Sequence, residues 1–169
     1  MTDKKNDLDV NTSSIKTLYE IVADRVSKGD IASVIVASRG GKTALEMAGR
    51  IKGVNVVSVT EFEYSVDVKK EMKKLGVSYV EKSDLPIQDR EEFRDALLMF
   101  GAGVKSAVEI AVIAAEKELT RGKVISVAGS EHKLDTALVI KPSKASEISS
   151  SDPSKRMVIL ELLAFSQKE

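Results

Sequence analysis

The sequence predicts an α/β fold: a three-layer α/β/α sandwich around a mostly parallel sheet, with an antiparallel edge formed by the C-terminal strands. Two observations predict it. Up to Gly122, short runs of β-branched apolar residues alternate with segments whose apolar residues recur at helical spacing. After Gly122, strand-like runs follow one another with no helical segment between them. Parallel neighbours need a crossover, usually helical, whereas strands without one usually pair antiparallel.

The elements follow in order. Asn11 to Ser14 offer side-chain oxygens for the free amides of a helix start, and Ile15, Leu18, Tyr19, Val22 and Val26 repeat at helical spacing until Gly29 ends the pattern. Ile31 to Ala37 is an apolar run suited to a strand buried on both faces. Lys42 to Ile51 reads as a helix with Ala44, Leu45, Ala48 and Ile51 inward, and Val54 to Val59 as a second buried strand. Val68, Met72 and Leu75 mark a helix closed by Gly76, followed by a short strand, Val77 to Val80. Asp84 to Gln88 holds Pro86 and reads as a loop; Asp89 to Met99 is helical, with Phe93 and Leu97 on one face. Phe100-Gly101-Ala102-Gly103 interrupts the chain before a helix carrying Val104, Val108, Ala111, Val112 and Ala115. Val124 to Ala128, Thr136 to Lys141 and Met157 to Phe165 are the remaining strands, the last pair joined by the loop Pro142 to Ser154.

Composition narrows the functional classes. At 169 residues, with 43% apolar and 31% charged, the chain can bury a core of its own. Residues 1–10 are expected to form a flexible tail and 11–169 a single domain. Aromatics amount to 4% and Trp is absent, so the core has to be aliphatic. Twenty-six basic residues balance 26 acidic ones, which leaves no overall field to draw in nucleic acid or an anionic membrane. The absence of cysteine excludes disulfides, thiolate metal sites and a Cys nucleophile. Met1 to Asp9 lacks the apolar stretch of a secretion signal, and the apolar run Ala107 to Ala115 is short for a bilayer span and contains Glu109. A soluble cytoplasmic protein is expected.

The turn between the first strand and the next helix, Ser38-Arg39-Gly40-Gly41-Lys42-Thr43, is where chemistry concentrates. In an open parallel sheet, ligands sit outside the carboxyl ends of the strands. Glycines let the backbone turn sharply and approach a ligand closely. The first helix amides lack internal partners, and the helix dipole places its positive end there. Ser38 and Thr43 add hydroxyls, and Arg39 and Lys42 add charge, so a phosphate would meet many donors. Gly41-Lys42-Thr43 also matches the end of a nucleotide-triphosphatase P-loop. That motif requires a glycine where this chain has Val36, and the turn is too short to wrap a β-phosphate.

The stretch Val34 to Ala44, which contains this turn, resembles the strand, turn and helix start that bind a sugar-phosphate effector in the C-terminal domain of pyruvate kinase. More of the chain is similar to stand-alone archaeal proteins that consist of this domain alone: Asn11-Thr12 with its helix, Gly103 to Ile110, and Asp135 to Pro142, in the right order over most of residues 11 to 165. The resemblance implies a three-layer α/β/α sandwich and phosphate binding at Ser38 to Thr43. It also implies no kinase activity, because the barrel domain that holds the catalytic site of pyruvate kinase has no counterpart. Some stand-alone relatives look like binders of flavin mononucleotide (FMN), which makes FMN a candidate cofactor. This chain departs from them after its second strand, where Thr60-Glu61-Phe62-Glu63-Tyr64-Ser65 replaces a longer loop containing His and Gly. Glu61 and Glu63 would sit unfavourably beside a phosphate.

Further ligand contacts are expected from two places. Gly129-Ser130-Glu131-His132-Lys133 leaves a strand on the same side of the sheet, so Gly129, Ser130 and His132 are candidates, followed by Asp135 and Thr136; a solvated turn is the plainer alternative. The Gly-rich helix start offers Gly101, Gly103 and Lys105. Lys105 and Glu109 lie one helical turn apart, either as an exposed pair or facing the ligand. One His without a metal-spaced partner argues against zinc, and Lys69 to Lys74 reads as the solvated side of a helix rather than a nucleic-acid surface. No nucleophile, base and orienting group fall at a recognisable spacing. The expectation is therefore a binding protein for a phosphorylated small molecule, such as a sugar phosphate or mononucleotide. An enzyme acting on such a ligand or on a flavin, with His132, Asp135 or Glu109 as acid or base, and a ligand-free interaction module are the alternatives. The strand near Met157 to Phe165 would suit a homo-oligomer.

Overall fold

The computed structural model describes residues 16–130 and 133–166. The expected tail at 1–10, the expected capping residues Asn11 to Ser14, and His132 lie outside them. The first described helix, α1 (Leu18–Val26), begins at Thr17 with a capping box: the Thr17 hydroxyl accepts from the Glu20 amide, and the Glu20 carboxylate accepts from the Thr17 amide. Strand β1 (Ser33–Ala37) leads to α2 (Lys42–Arg50), β2 (Asn55–Val59), α3 (Val66–Leu75) and β3 (Ser78–Val80). Then come α4 (Glu91–Leu98), α5 (Ala102–Glu116), β4 (Val124–Ser130), β5 (Lys133–Lys141) and β6 (Val158–Ala164).

The six strands form one mixed sheet in the order β3-β2-β1-β4-β5-β6. β3, β2, β1 and β4 run parallel to one another, β5 pairs antiparallel with β4, and β6 pairs antiparallel with β5, as the missing crossover helices predict. Helices pack on the sheet, and strand alternation divides the core. Val34 and Val36 of β1 cluster with Val22, Ala44, Met47 and Met72 from α1, α2 and α3. Ile35 clusters with Leu97, Val104, Ala107, Val108 and Ala111 from α4 and α5. Because both faces of β1 are covered, its sequence is continuously apolar rather than alternating.

The β4–β5 connection departs from expectation. The strands are longer than expected, β4 running on to Ser130 and β5 starting at Lys133, while Glu131 and His132 lie outside the described residues. Ladder pairing continues through Gly129 with Leu134 and Ser130 with Lys133, after a register shift at Ala128/Gly129. A β-carbon on Gly129 would lie 1.7 Å from the Lys133 carbonyl oxygen, so only glycine lets the strands close. At the other end of the molecule, the nearly buried Arg25 guanidinium bridges Asp30 and Glu161, tying α1 to β6. It holds both carboxyls below their ordinary values, and Lys123 assists at Asp30. β6 is an edge strand with Ile159, Leu160 and Leu162 exposed. Among the described residues, no helix is long and apolar enough to cross a membrane.

Candidate functional site

β1 lies between β2 and β4, and the chain leaves β1 toward α2 in one core cluster while α5, in the other, precedes β4. Strand order therefore reverses at β1/β4, and the carboxyl ends of the strands there are where a crevice is expected. A cleft of about 540 Å³ opens at this point. That volume falls in the range of small-molecule sites. Ser38, Arg39, Gly40, Lys42 and Thr43 form one wall, Thr60, Glu61 and Phe62 a second, and Lys105, Ser106, Glu109, Ile110 and Ile113 of α5 a third. Gly129, Lys133 and Leu134 reach it from the β4–β5 hairpin. A smaller cleft of about 380 Å³ lies at the amino ends of the strands, where α1 and α2 end and the helix dipoles present carbonyls.

The turn after β1 is held from behind. The Tyr64 hydroxyl donates to the Ser38 carbonyl at 2.8 Å, and the Thr60 hydroxyl donates to the Arg39 carbonyl at 3.1 Å. Tyr64 has spent its proton on Ser38, so the Ser58 hydroxyl donates to Tyr64 at 2.6 Å. Burial, outweighing that Ser58 hydrogen bond, pushes the Tyr64 hydroxyl up to about 12, so it stays protonated and able to donate. In a trans peptide the N–H points opposite to the C=O. Tying back these carbonyls turns the Arg39 and Gly40 amides away from Tyr64 and Thr60, and removes carbonyl oxygens that would repel an anion.

Helix α2 starts without a cap. Its N-cap is Gly41, which has no side chain to offer, and no side-chain hydrogen bond covers this end. Lys42 and Arg39 are exposed there, and neither takes part in an ion pair among the described residues. The Arg39 guanidinium stacks 4.4 Å from the centroid of the half-exposed Phe62 ring. Of the cleft's ionisable side chains, Arg39, Lys42, Lys105 and Lys133 are cationic, and Glu61 and Glu109 are acidic. The balance favours an anion. Glu63 faces elsewhere and pairs with Lys82 at 3.1 Å.

The two glycines of the turn have different reasons to be glycine. Gly41 has φ +90°, and a β-carbon would stand 2.5 Å from Val68 Cγ1 and 2.8 Å from Met72 Cε, so it is required by the fold and sits behind the cleft. Gly40 meets nothing within 4 Å, its φ is not in the left-handed range, and it lines the cleft. A β-carbon at Gly40 would therefore meet no strain and no clash within the chain.

A scan against models of known protein families finds no match to this chain. The site is thus described by its own residues. Ser38, Arg39, Gly40, Lys42, Thr43, Lys105 and Gly129 come together around one cleft. Gly103, Asp135 and Thr136 pack on one another beside it: a β-carbon on Gly103 would lie 2.2 Å from Thr136 Oγ1, and that hydroxyl donates to Asp135 at 2.8 Å. Gly101 is the N-cap of α5 at φ 107°. For Ser130 only the backbone is described, as the last residue of β4. Glu109 is not on an exposed face: it is 3% exposed, accepts from Lys105 at 2.8 Å, and accepts from the Ile87 amide at 2.9 Å. Lys105 also donates to Gln88 at 2.8 Å. Gln88, Tyr64, Thr60 and Phe62 carried no motif; the loop after β2 stood out only by its departure from the resembled proteins. No group of three or more His, Asp or Glu among the described residues could hold a metal ion.

Proposed function

We propose that this protein binds a phosphorylated small molecule, a sugar phosphate or mononucleotide, with the phosphate seated on the Ser38 to Thr43 turn. The observation that carries the proposal is the uncapped start of α2, opening on a cleft with Arg39 and Lys42 at its edge and the neighbouring carbonyls tied back. Free helix amides, the helix dipole and unpaired cations all favour an oxyanion there. The β3-β2-β1-β4 order and the helices in both core clusters support a three-layer sandwich like the pyruvate kinase C-terminal domain. FMN is one mononucleotide this cleft would admit by volume, with Phe62, Leu85 and Ile110 as apolar wall. Binding is favoured over turnover because Glu109, the buried carboxylate of the cleft, is already committed to Lys105 and to the Ile87 amide.

Isothermal titration of the purified protein with inorganic phosphate, a hexose monophosphate and FMN tests the proposal. Binding of at least one probe is expected, and so is its loss in Lys42→Glu and in Gly40→Asp, which places a carboxylate before the helix amides. Binding that is unchanged in both variants, or no binding of any probe to the wild type, refutes it.

A further inference from the structure

The cations around the cleft differ in what surrounds them. Arg39, Lys42 and Lys133 are exposed. Lys105 is nearly buried, at 12% exposure, and its ammonium is fixed between Glu109 Oε1 and Gln88 Oε1, both at 2.8 Å. An ammonium has three donors, and these two acceptors leave one over in a side chain that lines the cleft. Glu109 neutralises this charge at contact distance and is itself buried at 4% side-chain exposure. An anionic group accepting from Lys105 would approach the Glu109 carboxylate as well, and in a poorly solvated wall the repulsion offsets the attraction. A neutral acceptor, a hydroxyl or carbonyl oxygen, gains the hydrogen bond without that repulsion.

Resting on the phosphate site proposed above, we infer that Lys105 is the second anchor of the ligand and that it selects a neutral oxygen. The ligand is therefore a monophosphate whose other end carries hydroxyl or carbonyl groups, and a bisphosphate is discriminated against. The positive turn and the charge-compensated α5 wall thus read opposite ends of one molecule. Gln88 and Glu109 act as positioning residues: they hold the ammonium in place, and Glu109 supplies the discrimination against charge.

Titrations with inorganic phosphate, a hexose monophosphate and the corresponding hexose bisphosphate separate these roles. In the wild type the hexose monophosphate is expected to bind at least about tenfold tighter than inorganic phosphate and tighter than the bisphosphate; tenfold is the affinity worth of one good hydrogen bond. Lys105→Met should remove the advantage of the monophosphate over inorganic phosphate. Glu109→Gln keeps an acceptor for the Ile87 amide and should shift the preference toward the bisphosphate. Gln88→Met, at an exposed position, serves if Glu109→Gln does not fold, and should weaken the monophosphate alone. Equal binding of the hexose monophosphate by wild type and Lys105→Met, or a wild-type preference for the bisphosphate, overturns the inference while the turn remains a phosphate site. Failure of all phosphate probes to bind the wild type removes both.

Discussion

Replacing each glycine of the turn by alanine separates the fold from the site. At Gly41 the backbone stands at φ +90°, and an added β-carbon meets Val68 Cγ1 at 2.5 Å and Met72 Cε at 2.8 Å. Left-handed backbone costs a non-glycine residue about 1–2 kcal/mol, and an extra methyl in a packed region costs about 1–3 kcal/mol. Val68 is β-branched and stiff, so it does not yield easily, whereas the terminal methyl of Met72 can shift at lower cost. Gly41→Ala should therefore lose about 2–5 kcal/mol, a large part of a typical domain stability of about 5–15 kcal/mol. Gly40→Ala has open space and an ordinary φ, and should hold or slightly raise stability by about 0.4–1 kcal/mol through the unfolded chain. Its new methyl group stands on the ligand side, so phosphate affinity should fall. Urea unfolding of both variants, with phosphate titration of Gly40→Ala, measures this. Gly41→Ala unfolding at the wild-type midpoint, or Gly40→Ala destabilised as much as Gly41→Ala, would refute the assignment of one glycine to the fold and the other to the site.

Other outcomes follow from the same geometry. Tyr64→Phe strips the Ser38 carbonyl and the Ser58 hydroxyl of their shared buried partner and should cost about 1–3 kcal/mol in denaturant unfolding, with weaker phosphate binding because the turn loosens; wild-type values in both assays would contradict it. Asp30 and Glu161 have folded-state pKa values held by Arg25 below their ordinary 3.8 and 4.5. Their contribution is complete above those ordinary values and is lost as pH falls through the lower folded-state ones. Unfolding midpoints should therefore drop steeply below about pH 4 in the wild type and less steeply in Arg25→Met; parallel curves would count against the bridge. β6 is an uncovered edge with Ile159, Leu160 and Leu162 exposed, and Glu161, its charged residue, is bound to Arg25 rather than guarding the edge. A homodimer through paired β6 strands is expected, and light scattering should find Leu160→Lys/Leu162→Lys monomeric; a monomeric wild type disproves it.

Much of this was legible in the chain. The turn at Ser38 to Thr43 declares itself by glycines and cations placed between an apolar β-branched run and a helical pattern. Lys105 with Glu109 was legible as a pair one turn apart, but not its burial, which depends on α5 packing against the sheet and on the Ile87 amide arriving from the preceding loop. That Gly103, Asp135 and Thr136 pack on one another was not legible, because they come from α5 and β5. The first described helix starts at Thr17, where the reciprocal bond from Glu20 completes a capping box, and the expected capping residues Asn11 to Ser14 lie outside the described residues.

The sequence by itself determined the alternation of strands and helices, the change from parallel to antiparallel pairing, and the position of the glycine-rich basic turn. These rest on side-chain periodicity and on crossover length, both local properties of the chain. Only the tertiary structure decided that Tyr64 and Thr60 tie back the turn's carbonyls, that Gly41 serves packing while Gly40 faces the cleft, and that Lys105 is neutralised by a buried carboxylate. Each of the three joins residues from separate elements. Whether a charge is compensated or a β-carbon has room depends on what the fold brings within a few ångströms, and neighbours in space leave no spacing in the sequence.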